Sequence, residues 1–114
     1  MMEAARVAEL AARAIMEKKG LDPVILDLRG ITLIADYFVI ASGTAATHVQ
    51  AIAGRVEEVL EENGVKPLHR EGWDAARWIL LDYGDVVVHI FREEERRFYD
   101  LERLWRDAGV VKID

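Results

Sequence analysis

Cysteine is absent from the chain. That excludes a disulfide framework and thiol catalysis, keeps cysteine out of any metal site, and accords with a reducing cytoplasm. No apolar run approaches the roughly 20 residues of a membrane span, so no membrane partner is expected. Glu3 sets an acid near the start of an amphipathic helical pattern, which reads as neither a signal nor a transit peptide. Basic residues are the minority, 15 Lys and Arg against 21 Asp and Glu, for a formal charge of -6. That balance argues against free nucleic acid as a partner and is compatible with a basic protein. What remains, 52% apolar and 32% charged over 114 residues, is the composition of one globular domain with a modest core.

Helical spacing of Val7, Leu10, Ala11, Ala14 and Ile15 predicts a helix over Glu3 to Lys19, with Arg6, Glu9, Arg13 and Glu17 outward and Gly20 as its left-handed stop. Val24 to Arg29 reads as a first strand, broken by Gly30. The apolar residues of the link Ile31 to Asp36 are expected to tuck under the sheet. Tyr37 to Ser42 is nearly continuous in hydrophobicity, which predicts a central strand. Ser42-Gly43-Thr44 opens a second helix with Thr44 as N-cap, its stripe Val49, Ile52, Ala53, Val56, Val59 and Leu60, and Asn63-Gly64 closes it. Val65 to Arg70 is a short strand, placed at an edge by Pro67. Arg92 to Asp107 is helical again, with Phe98, Leu101, Leu104 and Trp105 as its apolar stripe; Gly109 to Asp114 carries no clear pattern. The order α-β-β-α-β-β-β-α predicts an α/β (α+β) fold, a mixed five-stranded sheet with flanking helices.

The most informative stretch is Arg77 to Phe91. Two apolar, β-rich runs flank Tyr83-Gly84, with Asp82 and Asp85 on either side. This predicts a hairpin whose two-residue loop pairs Leu81 with Val86, Ile79 with Val88 and Trp78 with His89. One face then carries Ile79, Leu81, Val86, Val88 and Ile90 and reads as core. The other carries Trp78, Leu80, Asp82, Asp85, Val87, His89 and Phe91. It suits either a docking surface, an aromatic anchor rimmed by charge, or a layer covered by a helix or a neighbouring chain. A bulge at the turn would slip the register by one and exchange the faces.

No enzyme pattern emerges. Ser42-Gly43-Thr44 lacks the spaced glycines and lysine of a phosphate loop. Its shape also resembles nucleotidyltransferases, in which two aspartates two apart on the next strand hold metal. Here Val65 to Arg70 has no aspartate, and Asp82 and Asp85 lie three apart across a turn. His48, His69 and His89 fall on separate segments without metal-ligand spacing. Arg92, Arg96 and Arg97 with Tyr99 are candidates for RNA contact, but they alternate with Glu93, Glu94 and Glu95, as a salt-laced solvated helix face would.

Two stretches together resemble the ribosomal silencing factor family, also called iojap-related. They are Asp36-Tyr37-Phe38-Val39-Ile40-Ala41-Ser42-Gly43-Thr44, continuing to His48-Val49 and Ala51-Ile52-Ala53, and the run from Trp78 to His89. Glu71-Gly72 and the helix Arg97 to Trp105 fit the same pattern. The resemblance implies a single domain over residues 1–114, cytoplasmic, with a nucleotidyltransferase-like sheet and neither catalytic activity nor cofactor. It implies binding to the large ribosomal subunit through its fourteenth ribosomal protein, on a basic surface that faces the small subunit. Occupying it would block subunit joining and repress translation under nutrient limitation. Family members also self-associate as dimers. On this basis Trp78, Leu80, Asp82, Tyr83, Asp85 and His89 are the candidate docking surface, with Arg96, Arg97 and Tyr99 as outer candidates. The alternatives are a homodimeric module that pairs the Trp78 face with itself, and a degenerate nucleotidyltransferase-fold protein that does not bind ribosomes.

Overall fold

A computed structural model describes residues 2–113. In chain order it contains helix α1 (Ala4–Glu17), strands β1 (Leu21–Asp27) and β2 (Tyr37–Gly43), helix α2 (Ala46–Glu62), strands β3 (His69–Glu71), β4 (Trp78–Asp82) and β5 (Val86–Arg92), short helices α3 (Glu93–Tyr99) and α4 (Leu101–Leu104), and strand β6 (Gly109–Val111). The strands form one mixed sheet in the order β3-β4-β5-β2-β1-β6. Only β2 and β5 are parallel, and β2 is buried at every residue, as its unbroken hydrophobicity requires. The α/β class thus stands, with six strands rather than five: the patternless tail supplies β6, held antiparallel on β1 through Ile25 and Val111.

Helices α1 and α2 cover one face. Val7, Ala11, Ile15, Val49, Ile52, Val56 and Leu60 pack there against Ile79, Leu81, Val88 and Ile90, all buried. The small Ala8, Ala11 and Ala12 of α1 let it lie close to its neighbours, and each is essentially inaccessible. The opposite face is covered over β1 and β2 by the C-terminal segment, where Leu101, Trp105 and Ala108 pack on Leu26, Phe38, Ile40 and Phe91. No helix among the described residues is long and apolar enough to cross a membrane.

Several local expectations are corrected. The hairpin loop is Gly84-Asp85, not Tyr83-Gly84, and the observed pairs are Trp78 with Phe91, Ile79 with Ile90, Leu81 with Val88 and Asp82 with Val87. The Asp82 carboxylate accepts the Gly84 N–H at 2.8 Å, Gly84 takes φ +87°, and the Tyr83 N–H closes the turn on the Val86 carbonyl at 2.8 Å. A positive φ at the first loop position alone matches the Gly-X hairpin turn. Moving the loop by one residue shifts the pairing by two, so both faces survive. The third strand is His69–Glu71, not Val65 to Arg70, and it does form the sheet edge.

At the end of α1 the left-handed residue is Lys19 (φ 58°) rather than Gly20. Gly20 is required for space instead, since a Cβ there would meet the Ile15 side chain at 2.3 Å. Helix α2 is capped by Ala45, not Thr44, whose N–H donates to His48 Nδ1 at 2.9 Å. Ile31, Leu33 and Ile34 are exposed rather than tucked under the sheet; only Leu28 and Ala35 turn inward. The single helix expected over Arg92 to Asp107 is broken by Asp100, whose φ of 47° ends α3. The break rotates the apolar stripe out of phase, so Leu101 and Trp105 pack inward while Phe98 and Leu104 remain exposed.

Candidate partner-binding face

The face opposite α1 and α2 has two halves. Over β1 and β2 the C-terminal segment covers it; toward the β3 edge Tyr99 of α3 packs on Trp78, while Leu80 and Asp82 of β4 stay partly exposed. Period-two alternation brings Trp78, Leu80 and Asp82 of β4 onto this open half, and the pairing of β3 with β4 adds His69 opposite Asp82 and Glu71 opposite Leu80. Glu71, Gly72, Trp78 and Leu80 enclose a shallow slot of about 270 Å³. His69 Nε2 lies 2.9 Å from the Glu71 carboxylate. Sequence reasoning passed over His69, Glu71 and Gly72 as a site, because a three-residue strand exposed throughout leaves no hydrophobic alternation to read.

Trp78 is half-buried and held from several sides. Its ring stacks on Phe91 with centroids 4.9 Å apart and lies against Tyr99 at 4.7 Å. Its indole N–H donates to His89 Nδ1 at 3.1 Å, so the one polar atom of the side chain is satisfied internally and the surface it turns outward is apolar. Gly72 sits against the start of the strand with φ +80°, and a Cβ there would lie 2.0 Å from the Trp78 carbonyl oxygen. Only glycine lets the preceding loop approach this closely.

His89 is 3% exposed, packed edge-on to Phe38 at 4.5 Å. Accepting at Nδ1 places its proton on Nε2, which has no hydrogen-bond partner among the described residues. Burial among apolar rings pushes its pKa down to about 3. His89 is therefore a neutral support that orients the Trp78 ring, not a residue open to a partner.

The remaining candidates lie elsewhere. Tyr83 points to the helix side of the sheet, where it lines a groove of about 650 Å³ with Met2, Val65, Lys66 and Asp85. Burial, and secondarily the Glu57 carboxylate, raises its phenol above the ordinary value. Asp85 is exposed at the hairpin tip, and its carbonyl accepts the N–H groups of Asp36 and Tyr37. The Arg96 side chain is only 11% exposed and ties the C-terminal segment to the sheet. It donates to the Leu21 and Asp22 carbonyls at 3.1 and 2.7 Å, to Ser42 Oγ at 2.9 Å and to Glu102 at 3.0 Å. Arg97 is exposed, 4.0 Å from Glu93. The structure thus joins Trp78, Leu80, Asp82 and Tyr99, supported by His89, and separates Tyr83, Asp85 and Arg96 from them.

Among the described residues no group of three His, Asp or Glu side chains converges as metal ligands. His48 is committed to the fold: it accepts from the Thr44 N–H and contacts the Lys18 carbonyl at 2.8 Å through Nε2.

Comparison with known proteins gives a consistent result. The family model described as "Ribosomal silencing factor during starvation" matches residues 1–114. "Ribosomal silencing factor RsfS" of Bacillus subtilis is 45% identical over 108 residues, covering 95% of this chain and 92% of that protein. A crystal structure of a Chromobacterium violaceum protein superposes with TM-score 0.88 at 36% identity, covering 91% of this chain and 87% of that one. A second, from Bacillus halodurans, gives 0.84 at 40% identity over 96% and 99% of the two chains.

Proposed function

The chain belongs to the ribosomal silencing factor family, and from that premise we propose that it binds the large ribosomal subunit through the Trp78 row, blocks joining of the small subunit and so represses translation when nutrients are scarce. The observation that carries the reading is the anchored Trp78 ring. It is apolar outward, fixed by Phe91, Tyr99 and His89, shares its slot with Glu71, and continues along β4 to the Asp82 carboxylate. A rigid aromatic surface loses little conformational entropy on binding, and acidic neighbours steer and register a basic partner. The fourteenth ribosomal protein, whose joining surface is basic in this family, is the partner assigned to the row. The role is regulatory, and no reaction is assigned to the chain.

Titration of the purified fourteenth ribosomal protein with two variants tests this. Trp78→Ala weakens binding by about 2 kcal/mol or more, roughly 30-fold. Asp82→Asn keeps an oxygen to accept the Gly84 N–H, so the turn persists while the charge is lost. It slows association and flattens the salt dependence. A folded Trp78→Ala protein that binds as tightly as wild type refutes the assignment.

A further inference from the structure

Beside the Trp78 row, and joined to it by Tyr99, lies a second feature. The side chains of α3, α4 and the turn that follows form a groove of about 620 Å³ lined by Arg97, Phe98, Tyr99, Arg103, Leu104 and Arg106. Resting on the ribosomal reading above, we propose that this groove contacts RNA of the large subunit, its arginines holding phosphates and Phe98 stacking on an unpaired base, next to the protein contact made by the Trp78 row.

Outside the groove Arg29, Arg55, Arg70, Arg77 and Arg96 each lie 2.6 to 3.3 Å from a carboxylate, and of the arginines there Arg92 alone has no ion pair among the described residues. In the groove Arg103 and Arg106 have no ion pair among the described residues, and Arg97 reaches Glu93 only at 4.0 Å. Asp100 and Asp107 also border the groove without closing on those guanidiniums. In a chain of net charge -6, unpaired arginines gathered in one concavity point to an anionic partner.

The groove also carries apolar surface where a solvated face would be polar. Phe98 is 81% exposed and Leu104 69% exposed. Phe98 meets Tyr99 at an interplanar angle of 87°, so the two rings do not cover each other face to face. Guanidiniums interleaved with an open aromatic ring are the chemistry that binds unstacked bases and their phosphates. The acidic remainder of the protein keeps this contact dependent on prior docking at the Trp78 row and disfavours free RNA.

Tyr99 lines the groove and packs on Trp78 at 4.7 Å, so a particle seated on the Trp78 row has its adjoining surface over the groove.

The test compares wild type with the double variant Arg103→Ser/Arg106→Ser in binding to purified large subunits across a salt series. Both side chains are exposed and make no ion pair among the described residues, so the fold is retained. Losing two phosphate contacts makes the log affinity against log salt slope shallower by about 1.5, which is a roughly 30-fold weaker complex at 0.1 M salt when referred to 1 M. A photocrosslinker, p-benzoylphenylalanine in place of Phe98, then labels RNA of the bound subunit. If wild type binds but the double variant has the same slope, or the crosslink falls only on ribosomal protein, the RNA contact is overturned and the Trp78 docking stands. If wild type does not bind large subunits at all, both readings fall together.

Discussion

Replacing His89 by leucine removes a titration from the core. In the folded protein burial holds the imidazole down to about 3, against an ordinary 6.5. Trp78, Phe38 and Phe91 surround it, and no charged side chain contributes to the shift. The sign follows from linkage. Above pH 6.5 both folded and unfolded chains carry neutral His89, and the group costs nothing. As the pH falls below 6.5 the unfolded chain takes up a proton that the folded chain refuses, so stability drops until the pH nears the folded value. Between pH 7.5 and 4.5 that amounts to nearly two pH units at about 1.4 kcal/mol each, roughly 3 kcal/mol. His89→Leu has a separate, pH-independent cost of about 1–3 kcal/mol, because the Trp78 N–H loses its acceptor. Urea unfolding of both proteins, followed by circular dichroism at pH 7.5, 6.5, 5.5 and 4.5, separates the two effects. Wild type loses roughly 3 kcal/mol more than the variant over this range, since the carboxylates common to both cancel. Parallel losses would refute the claim that a neutral, buried imidazole carries Trp78.

Two further substitutions probe what positions the site. Gly72→Ala forces a side chain into a left-handed backbone, at about 1–2 kcal/mol, and drives its Cβ against the Trp78 carbonyl, so thermal unfolding shifts down by at least about 2 kcal/mol and partner binding weakens with it. Unchanged stability would mean the loop does not set the Trp78 strand. Arg96→Met leaves the Leu21 and Asp22 carbonyls without their donor and releases the C-terminal segment, at about 1–3 kcal/mol. Hydrogen exchange then speeds up in residues 101–108 before it does in β2; uniform protection would contradict the role of Arg96 as a tie.

The sheet was legible in the sequence wherever hydrophobicity was periodic or unbroken. The alternating β4 and β5 runs and the continuous β2 sorted correctly into faces, and the face assignment survived a misplaced turn because the error was an even number of residues. Illegible features were those decided by tertiary contact. Gly109 to Val111 becomes a strand only because β1 offers it an edge, and the break at Asp100 lies inside apolar spacing that still fits one helix. The site was half legible. Period two placed Trp78, Leu80 and Asp82 together but also puts Tyr83 with Leu81 on the helix side. His89 and Arg96 look like surface residues in the sequence, yet one is buried against aromatic rings and the other against backbone carbonyls. Glu71 entered the row through strand pairing, a long-range fact.

A chain that occupies the large subunit as proposed leaves the small subunit unable to join. Sedimentation of the purified protein with large subunits, with and without added small subunits, decides this. The protein is expected to comigrate with the large subunit, and the joined particle to be lost as its concentration rises, whereas Trp78→Ala leaves joining intact. Joined particles that form undiminished at saturating wild-type protein would contradict it.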